Sequence, residues 1–388
     1  MYLVYLATPF ESVIVIPGVS VVKVVSVVFI LIAMFYYRGF VLPRQTLFSI
    51  FGIFTLYAVL STLWSIDREV TLINSIGTTA PTLILLTYLF AAIESKRHIE
   101  NIFKSYVLAS FVVALIAIYM FYTGLNFVNP GVVRLSVLGQ DQNELSVLLS
   151  MGVVSSLYLL LFHQVSKKAK LYYILVIIVL SFVILSTGSR TGFIILLTIG
   201  VVLFFLVKGA KKLIYLGIAA FILSGLMLFV IPESTTDRLL QTITQIQDRD
   251  LTNRVEIWDM GLLAFQKEGA YIQGVGFKTF PVLMQKHFHW SEYPHNTYLV
   301  VLIELGVIGF ILYMTMIFIF IKHAYALYRT GSLFYFLFIL PILMAMFTLG
   351  LEGRRWLFIF GILLIKLSEF SIVDIEKAEE LKPLSNEA

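Results

Sequence analysis

The sequence predicts an all-α polytopic membrane protein of about 11–12 transmembrane helices with one long loop on the outer side. Three observations carry this expectation. Of 388 residues, 59% are hydrophobic and 13% charged, with a mean hydropathy of +0.94, a composition outside the range of soluble globular domains. Apolar stretches approaching the roughly 20 residues needed to cross a bilayer recur along nearly the whole chain. The basic residues collect in alternate connections between those stretches, the pattern that marks cytoplasmic loops.

In order, spans are predicted near 19–37, 46–64, 71–93, 102–122, 144–162, 171–187, 191–207, 213–231, 297–321, 333–350 and 356–368. The opening "MYLVYLATPFESVIVIPGVS" lacks the basic head and small-residue cleavage site of a signal peptide. Pro17 and Gly18 would interrupt any helix there, so whether residues 1–16 make a twelfth span stays open. Arg38 with Arg44, Lys96 with Arg97, Lys167 with Lys168 and Lys170, Lys208 with Lys211 and Lys212, and Lys322 with Arg329 fall in alternate connections. With those inside, 123–143, 188–190, 232–296 and 351–355 face outward. The chain then divides into N-terminal helices (1–231), a long outer loop (232–296), C-terminal helices (297–370) and a solvated cytoplasmic tail (371–388).

A connection as long as 232–296 is usually functional or disordered. Within it, "TTDRLLQTITQI" and "NRVEIWDMGLLAFQKEG" space apolar residues as amphipathic helices do, and both are expected on the outer surface. "GVGFKTFP" reads as a turn-rich link back to the membrane.

Several chemistries are excluded. There is no cysteine, hence no disulfide, thiolate metal site or cysteine nucleophile. No zinc spacing, HExxH or phosphate-binding glycine loop occurs, so neither a metal nor a nucleotide cofactor is expected. The net charge of +5 comes mostly from short loops and marks topology rather than a nucleic-acid surface.

The outer connections are rich in arginine: Arg134, Arg190, Arg238, Arg249, Arg254, Arg354 and Arg355. A guanidinium keeps its charge at any accessible pH, and its planar fork of donors matches phosphate. The local alternative is pairing with Glu233, Asp237 or Glu352, or contact with lipid headgroups. In "LSTGSRTGFIILL", Arg190 occupies a hairpin barely long enough to turn between spans, beside Gly188, Ser189 and Gly192. Glycines permit close backbone approach and the next helix presents free N–H groups, a setting for an anion; a tight turn with an incidental arginine is the alternative. "NRVEIWDMG" offers Arg254 as a second clamp, with Trp258 either stacking on a sugar or serving as interfacial belt. Arg238 and Arg249 read as surface charges. His295, between Pro294 and Asn296, suits a neutral imidazole acting as general base or directed donor, with a helix cap as the alternative. His287 and His289 make a poor metal pair with no carboxylate nearby in the loop and read as surface.

Taken in order, "RLSVLGQDQNELSVLLS", "GSRTG" in a short hairpin, "NRVEIWDMGLLAFQKEGAYIQGVGF" and "PHNTYLVVLIELGVIGFILY" resemble the superfamily of bacterial O-antigen ligases and Wzy-type polysaccharide polymerases. The resemblance spans about 134–365, and its most specific part is the histidine–asparagine pair ahead of a glycine-broken apolar helix. It implies an all-helical membrane glycosyltransferase of the GT-C kind, in the bacterial cytoplasmic membrane with its site on the periplasmic face. It also implies metal-independent, inverting transfer of glycans carried on undecaprenyl diphosphate. Arg190, Arg254 and His295 match the family's functional positions, with Ser189, Asn296, Trp258, Arg134, Asn143 and Arg355 as accompanying substrate-binding candidates. The implied partners are an undecaprenyl-diphosphate-linked oligosaccharide, a lipid-linked or lipid A-core acceptor, membrane lipids and a chain-length regulator. Polymerase and ligase both fit; the aromatics Trp258, Tyr271, Phe277, Phe288, Trp290 and Tyr293 tilt the reading toward a polymerase holding two glycans. The competing class is a transporter or flippase, for which Glu304 and Lys23 are the charges deepest in spans.

Overall fold

The computed structural model describes residues 1–11, 14–16, 19–39, 43–125, 135–137, 140–206, 209 and 254–385. Arg134, Arg238, Arg249, the expected span at 213–231 and the first loop helix lie outside the described residues. The chain is an all-α multi-pass membrane protein, with one two-stranded hairpin (β1, Ile14–Ile16; β2, Val19–Ser20) among the described residues. Its helices are α1 (Tyr2–Ala7), α2 (Val21–Tyr37), α3 (Thr46–Leu60), α4 (Arg68–Ala92), α5 (Lys96–Tyr122), α6 (Gln142–Phe162), α7 (Lys167–Ser186) and α8 (Arg190–Leu206). Beyond the loop follow α9 (Arg254–Glu268), α10 (Phe280–Phe288), α11 (Thr297–Arg329), α12 (Leu340–Met346) and α13 (Arg355–Ser385).

Six described helices are long and apolar enough to cross a membrane, and Val21–Tyr37, Arg190–Leu206 and Leu333–Met346 are shorter apolar ones. Their outer faces leave Val27, Leu31, Ile32 and Phe35 of α2 exposed, as a lipid-embedded chain requires. Polar caps set the helix starts: Ser20, Asp67, Ser95, Asp141 and Ser166 each accept a backbone N–H with the side chain. The central element is α6, whose side chains are buried continuously from Glu144 to Leu159. Serines along it turn their hydroxyls back onto the helix, Ser150 onto Ser146 O and Ser156 onto Gly152 O, which lets small residues pack closely.

Two expectations need correction. The stretch at 333–350 is not one helix: a 3₁₀ segment (Leu333–Phe338) gives way to the seven-residue α12, because Pro341 at its start cannot extend the preceding turn. "FPVLMQKHF" after the turn-rich link is a helix, α10, which the sequence reading passed over. The described residues of 1–16 form the short α1, a 3₁₀ turn and β1, with Val4 and Tyr5 buried against the bundle, and none of these elements is long enough to span.

Helix ends sort into two groups. At one end Gln45, ahead of α3, bonds Glu369 of α13, Tyr88 of α4 bonds Gly39 O after α2, and His163 after α6 meets Glu100 near the start of α5. The basic clusters Arg38/Arg44, Lys96/Arg97 and Lys167–Lys170 lie at these helix termini. At the opposite end α6, α8, α11 and α13 all begin. Ser146 of α6 bonds Ser189 ahead of α8 (3.0 Å), Thr191 of α8 bonds Thr348 (2.8 Å), and Thr297 of α11 bonds Leu349 O (2.7 Å).

The loop is locked to this end through a break in α11. Gly306 takes φ 65° and ψ −169°, outside helical geometry, and so frees backbone groups on either side. Residues 271–276 take them up: Val275 N bonds Ile303 O (3.1 Å), Gly276 N bonds Glu304 O (2.8 Å) and Val307 N bonds Tyr271 O (2.9 Å). The buried Glu304 carboxylate accepts from Lys278 N (2.8 Å) and Phe280 N (3.2 Å), capping the start of α10. The deepest carboxylate of α11 is thus a structural cap, which removes the main support for the transporter reading.

Candidate active site

At this end of the bundle lie two chambers that share Tyr293, Gly350 and Arg354 in their walls. The smaller, about 130 Å³, is also lined by Asp141, Glu144 and His295. The larger, about 570 Å³, is lined by Glu11, Lys23, Thr78, Lys278 and Arg355. Tyr293 stands between them, its ring so close to Gly350 that a Cβ there would fall on it.

The strip 293–296 is held from several sides. The Tyr293 hydroxyl donates to Glu352, which also receives the Lys278 ammonium. Burial, then the neighbouring Glu352 carboxylate, push the Tyr293 phenol well above its ordinary value, so it stays protonated and donates. For Glu352, burial alone would raise the carboxyl, but Lys278 and the two hydrogen bonds outweigh it and keep the group below the usual carboxylate range. Trp258, one turn after Arg254 on α9, donates from Nε1 to Pro294 O (2.8 Å). Asn296 caps α11 by accepting from Leu299 N (3.1 Å).

Between these fixings His295 is held at φ 47°, an uncommon left-handed conformation for a non-glycine residue. Such a conformation persists where surroundings over-determine it, a feature common at functional sites. Burial, then the charge of Arg254, lower the His295 pKa below the ordinary imidazole value, while Asp141, Glu292 and Glu352 oppose them. The ring is therefore neutral at pH 7 and able to take up a proton.

Residues 174–314 match the family model described as O-antigen ligase. That match, over 141 of the 388 residues, supports a likeness to the O-antigen ligase and Wzy-type superfamily. No curated protein matches the chain. The O-antigen ligase segment includes Ser189, Arg190, Arg254, Trp258, His295 and Asn296, while Glu11, Asp141, Asn143, Glu144, Glu352, Arg354 and Arg355 lie outside it.

The sequence candidates fall into three situations. His295 and Arg254 come together, linked by the Trp258–Pro294 bond and by charge. Arg190 opens α8 at the same end, half-buried. Ser189 and Asn296 have their side-chain oxygens engaged in the fold: Ser189 Oγ accepts from Gly192 N (3.2 Å) and Ser146 Oγ, and Asn296 is the α11 cap. Asn143 lies in the first turn of α6, with its N–H on Asp141 Oδ1 (2.9 Å). Arg355 is buried in the wall of the larger chamber, whereas Arg354 pairs with Glu144 (3.2 Å).

Other residues of the site were missed. Glu144 is 2% exposed and receives both Arg354 and the indole Nε1 of Trp356 (3.1 Å); a carboxylate just inside an apolar span was its sequence signal. Lys278, the one cation in "GVGFKTFP", was legible in the same way. Glu11 had no signal. Phe277 is fully buried in the core and so offers no sugar platform, while Phe288 and Trp290 pack partly buried on the loop's own cluster. His287 does have a carboxylate neighbour, Glu268 at 2.6 Å, but Lys286 shares it, and no cluster of three metal-binding residues occurs among the described residues.

Proposed function

We propose that the protein transfers a glycan from undecaprenyl diphosphate to a glycan acceptor, with inversion at the anomeric carbon and without a metal. The observation carrying this reading is the juxtaposition of His295, neutral by burial, with the fixed charge of Arg254 beside a chamber lined where α6, α11 and α13 begin. The acceptor hydroxyl oxygen forms the bond to C1 as the bond from C1 to the diphosphate oxygen breaks. The hydroxyl proton passes to a ring nitrogen of His295, and undecaprenyl diphosphate leaves with the bonding pair. Arg254 and Arg190 bind the diphosphate and offset the charge that develops on it, the electrostatic term that otherwise falls to a cation.

The site faces the periplasm in this reading, because the basic loops gather at the opposite end of the bundle. The acceptor is a second lipid-linked repeat unit, making the protein a polymerase; the family description favours the second reading, a ligase acting on a lipid A-core. The burial of Phe277 weakens the aromatic argument for the polymerase without touching the shared chemistry.

The test is reconstitution of the purified protein with an undecaprenyl-diphosphate-linked repeat unit, compared with His295→Ala on a gel that resolves chain length. A ladder from wild type alone supports the polymerase, and transfer only on adding lipid A-core makes it a ligase. No transfer to either acceptor rejects the glycosyltransferase reading.

A further inference from the structure

The larger chamber contains two buried groups that the fold leaves unanswered. Arg355, the first residue of α13, is 6% exposed and its Nε has no hydrogen-bond partner. Glu11, just after the N-terminal 3₁₀ turn, is 7% exposed and its Oε2 has none. Both line the same 570 Å³ space, a volume within the ~300–1,000 Å³ of sites that hold small organic molecules. Arg355 is the strongest opposite charge acting on Glu11, yet neither a hydrogen bond nor an ion pair joins the two among the described residues. Native structures leave few buried polar groups unpaired, and those they do leave call for an explanation.

The remaining charges of the chamber are answered within the protein. Lys278 is taken by Glu352, Arg354 by Glu144, and Lys23 has a partner of its own. What the paired charges leave is one unpaired buried donor and one unpaired buried acceptor, not an excess of cations. A phosphate or diphosphate supplies acceptors and negative charge, and would meet the Glu11 carboxyl. A hydroxyl group both accepts from a guanidinium and donates to a carboxylate. Burial pushes the Glu11 carboxyl up to about 7, which a hydrogen bond donated to it would oppose.

We propose that the larger chamber is a sugar subsite in which Glu11 and Arg355 bind hydroxyl groups of a glycan ring, with Tyr293 as the wall toward His295. Glu11 and Arg355 come from the N-terminal segment and the start of α13, both outside the segment 174–314 that carries the family match, while Lys278 and Tyr293 in the same wall lie inside it. Two strands of sequence free to vary apart from the catalytic residues would set which sugar is accepted. The proposal rests on the glycosyltransferase reading for what the sugar is attached to, and binding itself requires no turnover.

The experiment uses the full-length protein in nanodiscs, with saturation-transfer NMR against a panel of free neutral hexoses, N-acetylhexosamines and hexuronic acids, and inorganic diphosphate as a second probe. At least one sugar binds wild type, and its affinity falls ~10-fold or more in Glu11→Ala and in Arg355→Met, the loss of a charged hydrogen bond. Diphosphate binding stays at the wild-type level in both. Glu11→Gln, whose amide oxygen still accepts, retains part of the affinity. Should either truncation unfold, Glu11→Gln and Arg355→Lys keep the size and change which epimer is preferred. In the transfer assay the same variants raise KM for one glycan while kcat changes less, and whether donor or acceptor KM moves tells which chain occupies the chamber. Failure of wild type to bind any sugar, unchanged sugar binding in the variants, or loss of diphosphate binding through Arg355→Met would overturn the proposal. Absence of transfer by wild type with sugar binding and its Glu11 dependence intact strikes the glycosyltransferase reading instead.

Discussion

The two chambers on either side of Tyr293 are built in opposite ways. Around the smaller one the polar groups are tied to each other: Trp258 to Pro294, Asn296 to Leu299, Tyr293 to Glu352, and Glu144 to both Arg354 and Trp356. Around the larger one, Glu11 and Arg355 are buried with polar atoms left unpaired. On the proposed function and subsite the difference separates two tasks: paired groups would fix the geometry of one reacting residue, which catalysis needs, and unpaired groups would hold binding capacity in reserve for a ligand.

The comparison can be broken first at His295. His295→Ala should abolish transfer, by ~10²–10⁴-fold for loss of a general base, while the melting temperature stays close to wild type. A folded variant with wild-type rate would remove the catalytic role of the small chamber. Next in size is the charge beside it. Arg254→Gln should slow transfer and shift its pH profile. Because burial and Arg254 hold the His295 pKa down, wild-type activity persists at neutral pH and is lost as pH falls through that lowered value. Removing Arg254 raises the pKa, so the acid limb of residual activity should move to higher pH, and an unmoved limb would show that another group titrates.

Arg190→Lys sharpens the same point: if the guanidinium grips a diphosphate through two donors, lysine should restore little of the activity lost in Arg190→Ala.

Smaller effects test the fixings. Gly350→Ala sets a methyl group on the Tyr293 ring, and the overpacking should cost about 1–3 kcal/mol and merge the chambers, visible as altered donor and acceptor KM together. Trp258→Phe keeps the ring but not the N–H, so it should cost about 0.5–1.5 kcal/mol and lower kcat without changing KM. Equal losses in both parameters would mean that the Trp258–Pro294 bond does not position His295.

What was legible in the sequence follows from which forces are local. Apolar length and basic loops marked ten of the eleven expected spans in places where described helices or the broken segment at 333–350 lie, although α11 and α13 run 8 and 17 residues past the expected ends and α5 starts 6 residues early; the remaining one, at 213–231, lies outside the described residues. Burial of backbone in lipid leaves helices as the only spanning solution in a chain of this kind, so composition determines the fold class. Arg190, Arg254 and His295 could be singled out because a charged or titratable group beside an apolar run is costly enough to need a reason. The kink at Gly306 was foreshadowed by the glycine alone.

Only the tertiary structure decided what each of those groups does. Glu304 became a cap for α10 because the break in α11 brings residues 274–280 against it. Ser189 and Asn296 acquired backbone partners, and Phe277 went into the core. Glu11 and Arg355, near opposite ends of the chain, line one cavity because the residue after the N-terminal 3₁₀ turn and the first residue of α13 both reach its wall. Hydropathy is a property of each stretch by itself, whereas a binding site is a property of distances between stretches, and no spacing along the chain encodes those.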